Sequence, residues 1–157
     1  MKNFISILFL LILFSCTRTT PDLIYDINVS IHYVDSTKNE LFNNSSNGYI
    51  IDNVRLYYMD NNNKILIFTP TTVAYIPDYP FGYEIDSSIG QKKFTIFSNN
   101  NVVNDTAITY IKLKSNVEDT LKCSFIHPNS NPKSIQWDKV WYNGKVQSRS
   151  FEVIKNK

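Results

Sequence analysis

The stretch Val140-Trp141-Tyr142-Asn143-Gly144-Lys145-Val146 decides the fold. A two-residue type I′ turn needs φ > 0 at both central positions, which Asn tolerates and Gly adopts freely, so Asn143-Gly144 between apolar flanks predicts a β-hairpin. Working outward, the same period-two pattern fills most of the chain. Leu121, Cys123 and Phe125 alternate with Thr120, Lys122 and Ser124. Thr109, Ile111 and Leu113 alternate with Tyr110, Lys112 and Lys114, and Phe94 and Ile96 with Lys93 and Thr95. Tyr83 with Ile85, the run from Ile65 to Phe68, and Val54, Leu56 and Tyr58 mark further strands; Ile27, Val29, Ile31 and Tyr33 alternate with polar residues near the start. No stretch after the first sixteen residues carries a helical period. Seven to nine short strands with one polar face each predict an all-β domain of antiparallel sheets, a sandwich or a barrel, around a single core.

Turns between these runs rely on Asn more than Gly. Only four Gly occur in 157 residues, while Asn43-Asn44, Asn61-Asn62-Asn63 and Asn99-Asn100-Asn101 fall between apolar segments. Asn fits such places because it enters the left-handed region and bonds its own backbone.

Composition excludes several function classes. With 16 Lys+Arg against 14 Asp+Glu, the chain has too little net charge for a nucleic-acid binder that works by general electrostatics. Two Cys cannot form a four-Cys zinc site or a disulfide-dense scaffold. No Gly-rich phosphate loop, HExxH or GxSxG motif is present.

The leader is a separate signal. Phe4 to Phe14 reads FISILFLLILF behind Lys2. As a helix this run covers about 16 Å, half of a bilayer core about 30 Å thick, which fits a secretory signal segment. The next residues, Leu13-Phe14-Ser15-Cys16, resemble the lipobox of bacterial lipoproteins: Leu at −3, a small residue at −1 and Cys at +1. The resemblance implies cleavage before Cys16, diacylglycerol on its thiol and anchoring in a membrane. Several acyl chains, at about 0.8 kcal/mol per buried methylene, give a lasting anchor. Thr17 rather than Asp at +2 implies the outer membrane; whether the domain faces the periplasm or the cell surface stays open. The expected organisation is therefore a signal peptide over 1–15, a lipidated tether over 16–22 and one β-sandwich domain over 23–157.

A second resemblance rests on Asp119-Thr120-Leu121-Lys122-Cys123-Ser124-Phe125 and on Ile135-Gln136-Trp137-Asp138-Lys139-Val140-Trp141-Tyr142-Asn143-Gly144-Lys145. Together they are similar to small Bacteroidota lipoproteins with an Ig-like or transthyretin-like β-sandwich. It implies a fold and a compartment, and carries over no catalytic residue.

Candidate site residues are few. Tyr75, Tyr79, Phe81 and Tyr83 crowd a Pro-rich stretch that reads as a loop, where aromatics serve as low-entropy contact residues. Trp137 and Trp141 share strand parity, and flat Trp faces suit stacking on sugar rings; the competing reading buries at least one of them. Cys123 is expected in the core. His32 is expected on a solvent face, and Asp60-Asn61-Asn62-Asn63 in a hairpin turn rather than a cation loop. The acids look dispersed over polar faces and turns. The resulting expectation is a non-enzymatic binding or accessory module of the cell envelope, with no metal or cofactor. It would meet the membrane through Cys16, and a glycan or an envelope protein as partner. A glycan-binding module and a structural or adhesive subunit are the alternatives.

Overall fold

The computed structural model describes residues 25–42, 48–60, 63–67, 81–87, 91–97, 104–128 and 131–155. These residues form an all-β fold of two sheets, without an α-helix among them. In chain order the strands are β1 (Tyr25–Asp26), β2 (Asn28–Val34), β3 (Arg55–Asp60), β4 (Asn63–Leu66), β5 (Tyr83–Asp86), β6 (Lys93–Phe97), β7 (Thr106–Lys114), β8 (Val117–Ile126), β9 (Ile135–Tyr142), β10 (Lys145–Gln147) and β11 (Ser150–Ile154). The larger sheet runs β1-β9-β8-β7-β3-β4, with β10 also on β9; the smaller runs β11-β2-β6-β5.

The alternation read from the sequence is the alternation that packs. Val29, Ile31 and Tyr33 of β2, Phe94 and Ile96 of β6, Ile111 and Leu113 of β7, and Leu121, Cys123 and Phe125 of β8 are all buried in one core. The core is rich in rings: Tyr33 meets Phe42 edge-on at 5.5 Å, and Phe42 stacks on Phe94 at 5.1 Å. At the 143–144 turn, Asn143 has φ 47° and Gly144 φ 77°, the pair of positive values a type I′ turn requires. The hairpin expected around Asn61 is present, with Asp60 opposite Asn63. The other Asn clusters lie outside the described residues.

Four expectations are corrected. First, the sheets are mostly but not wholly antiparallel: β1 runs parallel to β9, and β11 parallel to β2. Among the described residues eleven strands stand where seven to nine were expected, because two extended runs break and change sheets. The first run leaves β9 at Ile27 and joins β6 as β2; the last leaves β9 after Gln147 and joins β2 as β11.

Second, Trp137 and Trp141 do not share a face. Ser124 pairs with Lys139 and Phe125 with Trp137, so Asp138 is an extra residue in β9. A bulge of one residue reverses the alternation beyond it. Trp137 therefore points inward against the core, and Trp141, opposite Lys122, points outward.

Third, the acids are not all on polar faces. Asp119, on the inward parity of β8, is 2% exposed, and Asp35 is 3% exposed. Asp35 accepts bonds from the backbone and side chains of Thr37 and Asn39, closing the turn after β2. Fourth, His32 is half-buried rather than solvated. Its ring lies 3.7 Å from Glu40 and 3.9 Å from Glu152, its cross-strand neighbour on β11.

Candidate functional site

The six aromatic candidates do not form one surface. Tyr75 and Tyr79, like Cys16, lie outside the described residues. The remaining four occupy three separate places.

Phe81 and Tyr83 sit together, rings 6.1 Å apart, at the start of β5. They line an open cleft of about 420 Å³ with Ile51, Asp52, Arg55 and Glu84. The turn of 3-10 helix at Ile51–Asn53 forms its other wall, tied across by the Tyr83 hydroxyl donating to the Ile51 carbonyl at 3.1 Å. Burial raises the Tyr83 hydroxyl above the usual phenol range, while Arg55 partly offsets this. The cleft mixes ring faces with one cation and two acids, so its chemistry selects no single ligand charge.

Trp137 is a structural residue. Arg149 lies over its ring at 5.6 Å, and the same guanidinium forms a two-pronged ion pair with Asp26. Its cation–π contact fixes the indole at the seam between the sheets.

Trp141 lies on the outer face of the larger sheet. With Ile108, Thr120, Lys122 and Gly144 it lines a shallow groove of about 310 Å³. The Lys122 ammonium rests 5.3 Å from the Trp141 ring. The register sets Ile108, Lys122, Trp141 and Val146 in one row across four strands, and Val146 is 69% exposed. Gly144 has open space where a Cβ would stand, so the hairpin end of the groove is unobstructed.

Cations dominate this face. Lys112 and Lys139 stand on the same outward parity as Lys122, each beside a buried neighbour in sequence. None of the three has an acid within ion-pair distance among the described residues. Of the acids on this face, Glu118 is bound by Lys64, and Asp138 accepts a bond from the Ser124 hydroxyl. Lys64 also lies 3.9 Å over the Tyr110 ring. Lys112 and Lys122 were legible as the polar half of their alternations; that Lys139 shares their face was not, because it depends on the register between strands.

Two further polar arrangements went unread in the sequence. Asp119 sits at one end of the core, paired with Lys155 and bonded by Asn143 Nδ2 at 2.9 Å. Asn143 Oδ1 accepts from the Thr120 backbone at 2.7 Å, so the hairpin turn and the carboxylate brace each other. Beside them, Tyr142 donates to the Tyr33 hydroxyl at 3.4 Å. Burial, reinforced by the Asp119 charge, pushes the Tyr33 hydroxyl well above its ordinary value; burial and then Tyr33 do the same to Tyr142. At the opposite end of β8, His127 Nδ1 donates to the Ser134 carbonyl at 2.8 Å and Nε2 to Asp105 at 3.1 Å.

Neither arrangement assembles a nucleophile with a base. Cys123 is buried among core side chains, and both nitrogens of His127 are occupied elsewhere. Among the described residues no group of three His, Cys, Asp or Glu is placed to hold a metal ion. Compared with known proteins, the chain matches no family model, no curated protein and no solved structure.

Proposed function

We propose that this chain is a lipid-anchored, non-enzymatic binding module of the bacterial cell envelope. The leader is removed before Cys16, the Cys16 thiol carries diacylglycerol, and an Ig-like sandwich is held on the outer membrane by a tether of a few residues. The anchor is supported by the short apolar run and the Leu13-Phe14-Ser15-Cys16 motif. No helix among the described residues is long and apolar enough to cross a membrane. An Ig-like arrangement is supported by two facing sheets whose first and last strands pass from one to the other.

The observation that carries the binding role is the outer face of β7, β8 and β9. There the half-buried Trp141 and Lys122 line a groove, and among the described residues neither Lys122 nor Lys112 and Lys139 on the same face has an acid within ion-pair distance. A large aromatic beside lysines on an outer sheet face is the combination that a recognition surface uses. The non-enzymatic reading is supported by Cys123 and His127 serving the core and the loops rather than each other.

Expression in a bacterium with labelled fatty acid tests the anchor. The full chain is expected to take up label and partition into detergent, and Cys16→Ala to do neither. A Cys16→Ala chain that stays detergent-bound and labelled would refute it.

A further inference from the structure

We propose that the groove at Trp141 binds an acidic polysaccharide, a glycan chain carrying uronate carboxylates. This rests on the reading of the chain as a binding module and names the ligand class of that site.

Stacking and charge together define the ligand. The Trp141 ring faces outward and offers a flat apolar surface with a polar edge, which matches the C–H face of a pyranose. The exposed Lys122 ammonium lies over that ring, 5.3 Å from its centre, so a uronate that stacks there takes the ammonium from the ring onto its carboxylate. Lys139 precedes Trp141 by two residues on the same strand face, about 7 Å away at strand rise. A sugar on the indole thus meets the Lys122 ammonium, with the exposed Lys139 on the same strand face. Ile108 supplies an apolar floor and Thr120 a hydroxyl. With no Cβ at Gly144, a chain can leave the groove over the hairpin rather than end in it, which suits a polymer.

The other occupants fit less well. A neutral glycan would cover Lys122 and Lys139 without compensating them, at a desolvation cost. A protein interface concentrates apolar residues at its centre and depletes charge there; here lysines flank the central ring. A nucleic acid presents about one charge per 1.7 Å of duplex, too dense for three lysines on three strands spaced about 4.8 Å apart.

Calorimetric titration of the full chain in detergent micelles tests the inference, with polygalacturonate, neutral dextran and a single-stranded oligonucleotide as probes. Polygalacturonate is expected to bind saturably, and to weaken severalfold as salt rises from about 0.01 M to about 0.15 M, where the screening length falls to ~8 Å. Trp141→Ala is expected to weaken it about tenfold, and Lys122→Gln and Lys139→Gln severalfold each, the two lysine variants with unchanged thermal midpoints because both side chains are exposed. Dextran and the oligonucleotide are expected to bind at least tenfold more weakly or not at all. Equal binding of dextran would overturn the acidic specificity. Equal binding of the oligonucleotide, no binding of polygalacturonate, or binding indifferent to Trp141→Ala would overturn the site. New reducing ends appearing in the bound polymer would instead overturn the non-enzymatic reading while leaving the site standing.

Discussion

Arg149 and Asp26 form a two-pronged ion pair at the seam where both ends of the domain change sheets. Asp26 ends β1, Asn28 opens β2, and Arg149 lies between β10 and β11. The guanidinium also donates to the Asn28 carbonyl at 3.2 Å and to the Asn28 side chain. The Ser30 amide donates back to the Arg149 carbonyl at 3.0 Å. One side chain therefore satisfies the backbone and carboxylate groups that two broken strands expose.

Arg149→Ala is accordingly expected to lower unfolding free energy by about 1–3 kcal/mol, the range for lost hydrogen bonds to a partly buried charge. Arg149→Lys should recover less than half of that, because an ammonium has no fork to span Asp26 and Asn28 together. Urea unfolding measures both. A loss below about 0.5 kcal/mol, the usual scale of a surface substitution, would show that the seam holds without this residue.

Asp119 and Lys155 raise the question of cost at the other end of the core. Removing the cation leaves a buried carboxylate unpaired, so Lys155→Ala is expected to cost about 3 kcal/mol. Replacing both, as Asp119→Leu with Lys155→Met, should recover most of the loss, since apolar pairs often match buried ion pairs in stability. A double-mutant cycle separates the terms. Additive losses would mean that the two charges do not interact.

The sequence was readable where burial follows local parity and unreadable where it follows strand pairing. Val29, Ile31, Ile111 and Leu121 could be assigned inward one strand at a time. The Asn143-Gly144 turn follows from backbone sterics alone. Nothing local marks Asp138 as a bulge, because exposed Asp and Lys in succession suit a regular strand end as well. Trp137 and Trp141 were therefore read on one face. Asp119 escaped for a related reason: its inward carboxylate is met by Lys155 and Asn143, both distant in sequence. The groove at Trp141 needed the register of β7, β8, β9 and β10 before its lysines and its ring could be placed together.

The bulge makes a prediction that distinguishes it from ordinary strand. Deleting Asp138 leaves Trp137 inward and Lys139 outward, since the extra residue alone is removed. The variant is expected to fold cooperatively, with a stability loss below about 1.5 kcal/mol from the altered twist and the lost Ser124 bond. Deleting Lys122 from regular β8 reverses every residue on one side of the cut and should abolish cooperative unfolding. Circular dichroism with thermal melts compares the two. Equal damage from both deletions would show that Asp138 is an integral part of the ladder.

His127 carries the pH prediction. Its two nitrogens face a carbonyl and a carboxylate, both acceptors, and an imidazole donates from both only when protonated. The bond to Ser134 first, and that to Asp105 second, raise its pKa above the ordinary 6.5. A raised pKa means that protons bind the folded state more tightly than the unfolded one. The stabilisation is thus fully present below pH about 6.5 and is lost as pH rises through the folded value. NMR titration should place the His127 midpoint above that of a free imidazole, and Asp105→Asn should lower it part of the way. The melting temperature of His127→Asn should approach that of the unaltered chain on going from pH 6 to pH 8, because only the unaltered chain loses the linkage in about that window. A midpoint at or below 6.5 would mean that one nitrogen is left to accept, and the link between the Asp105 turn and the Ser134 loop would then be a single bond rather than two.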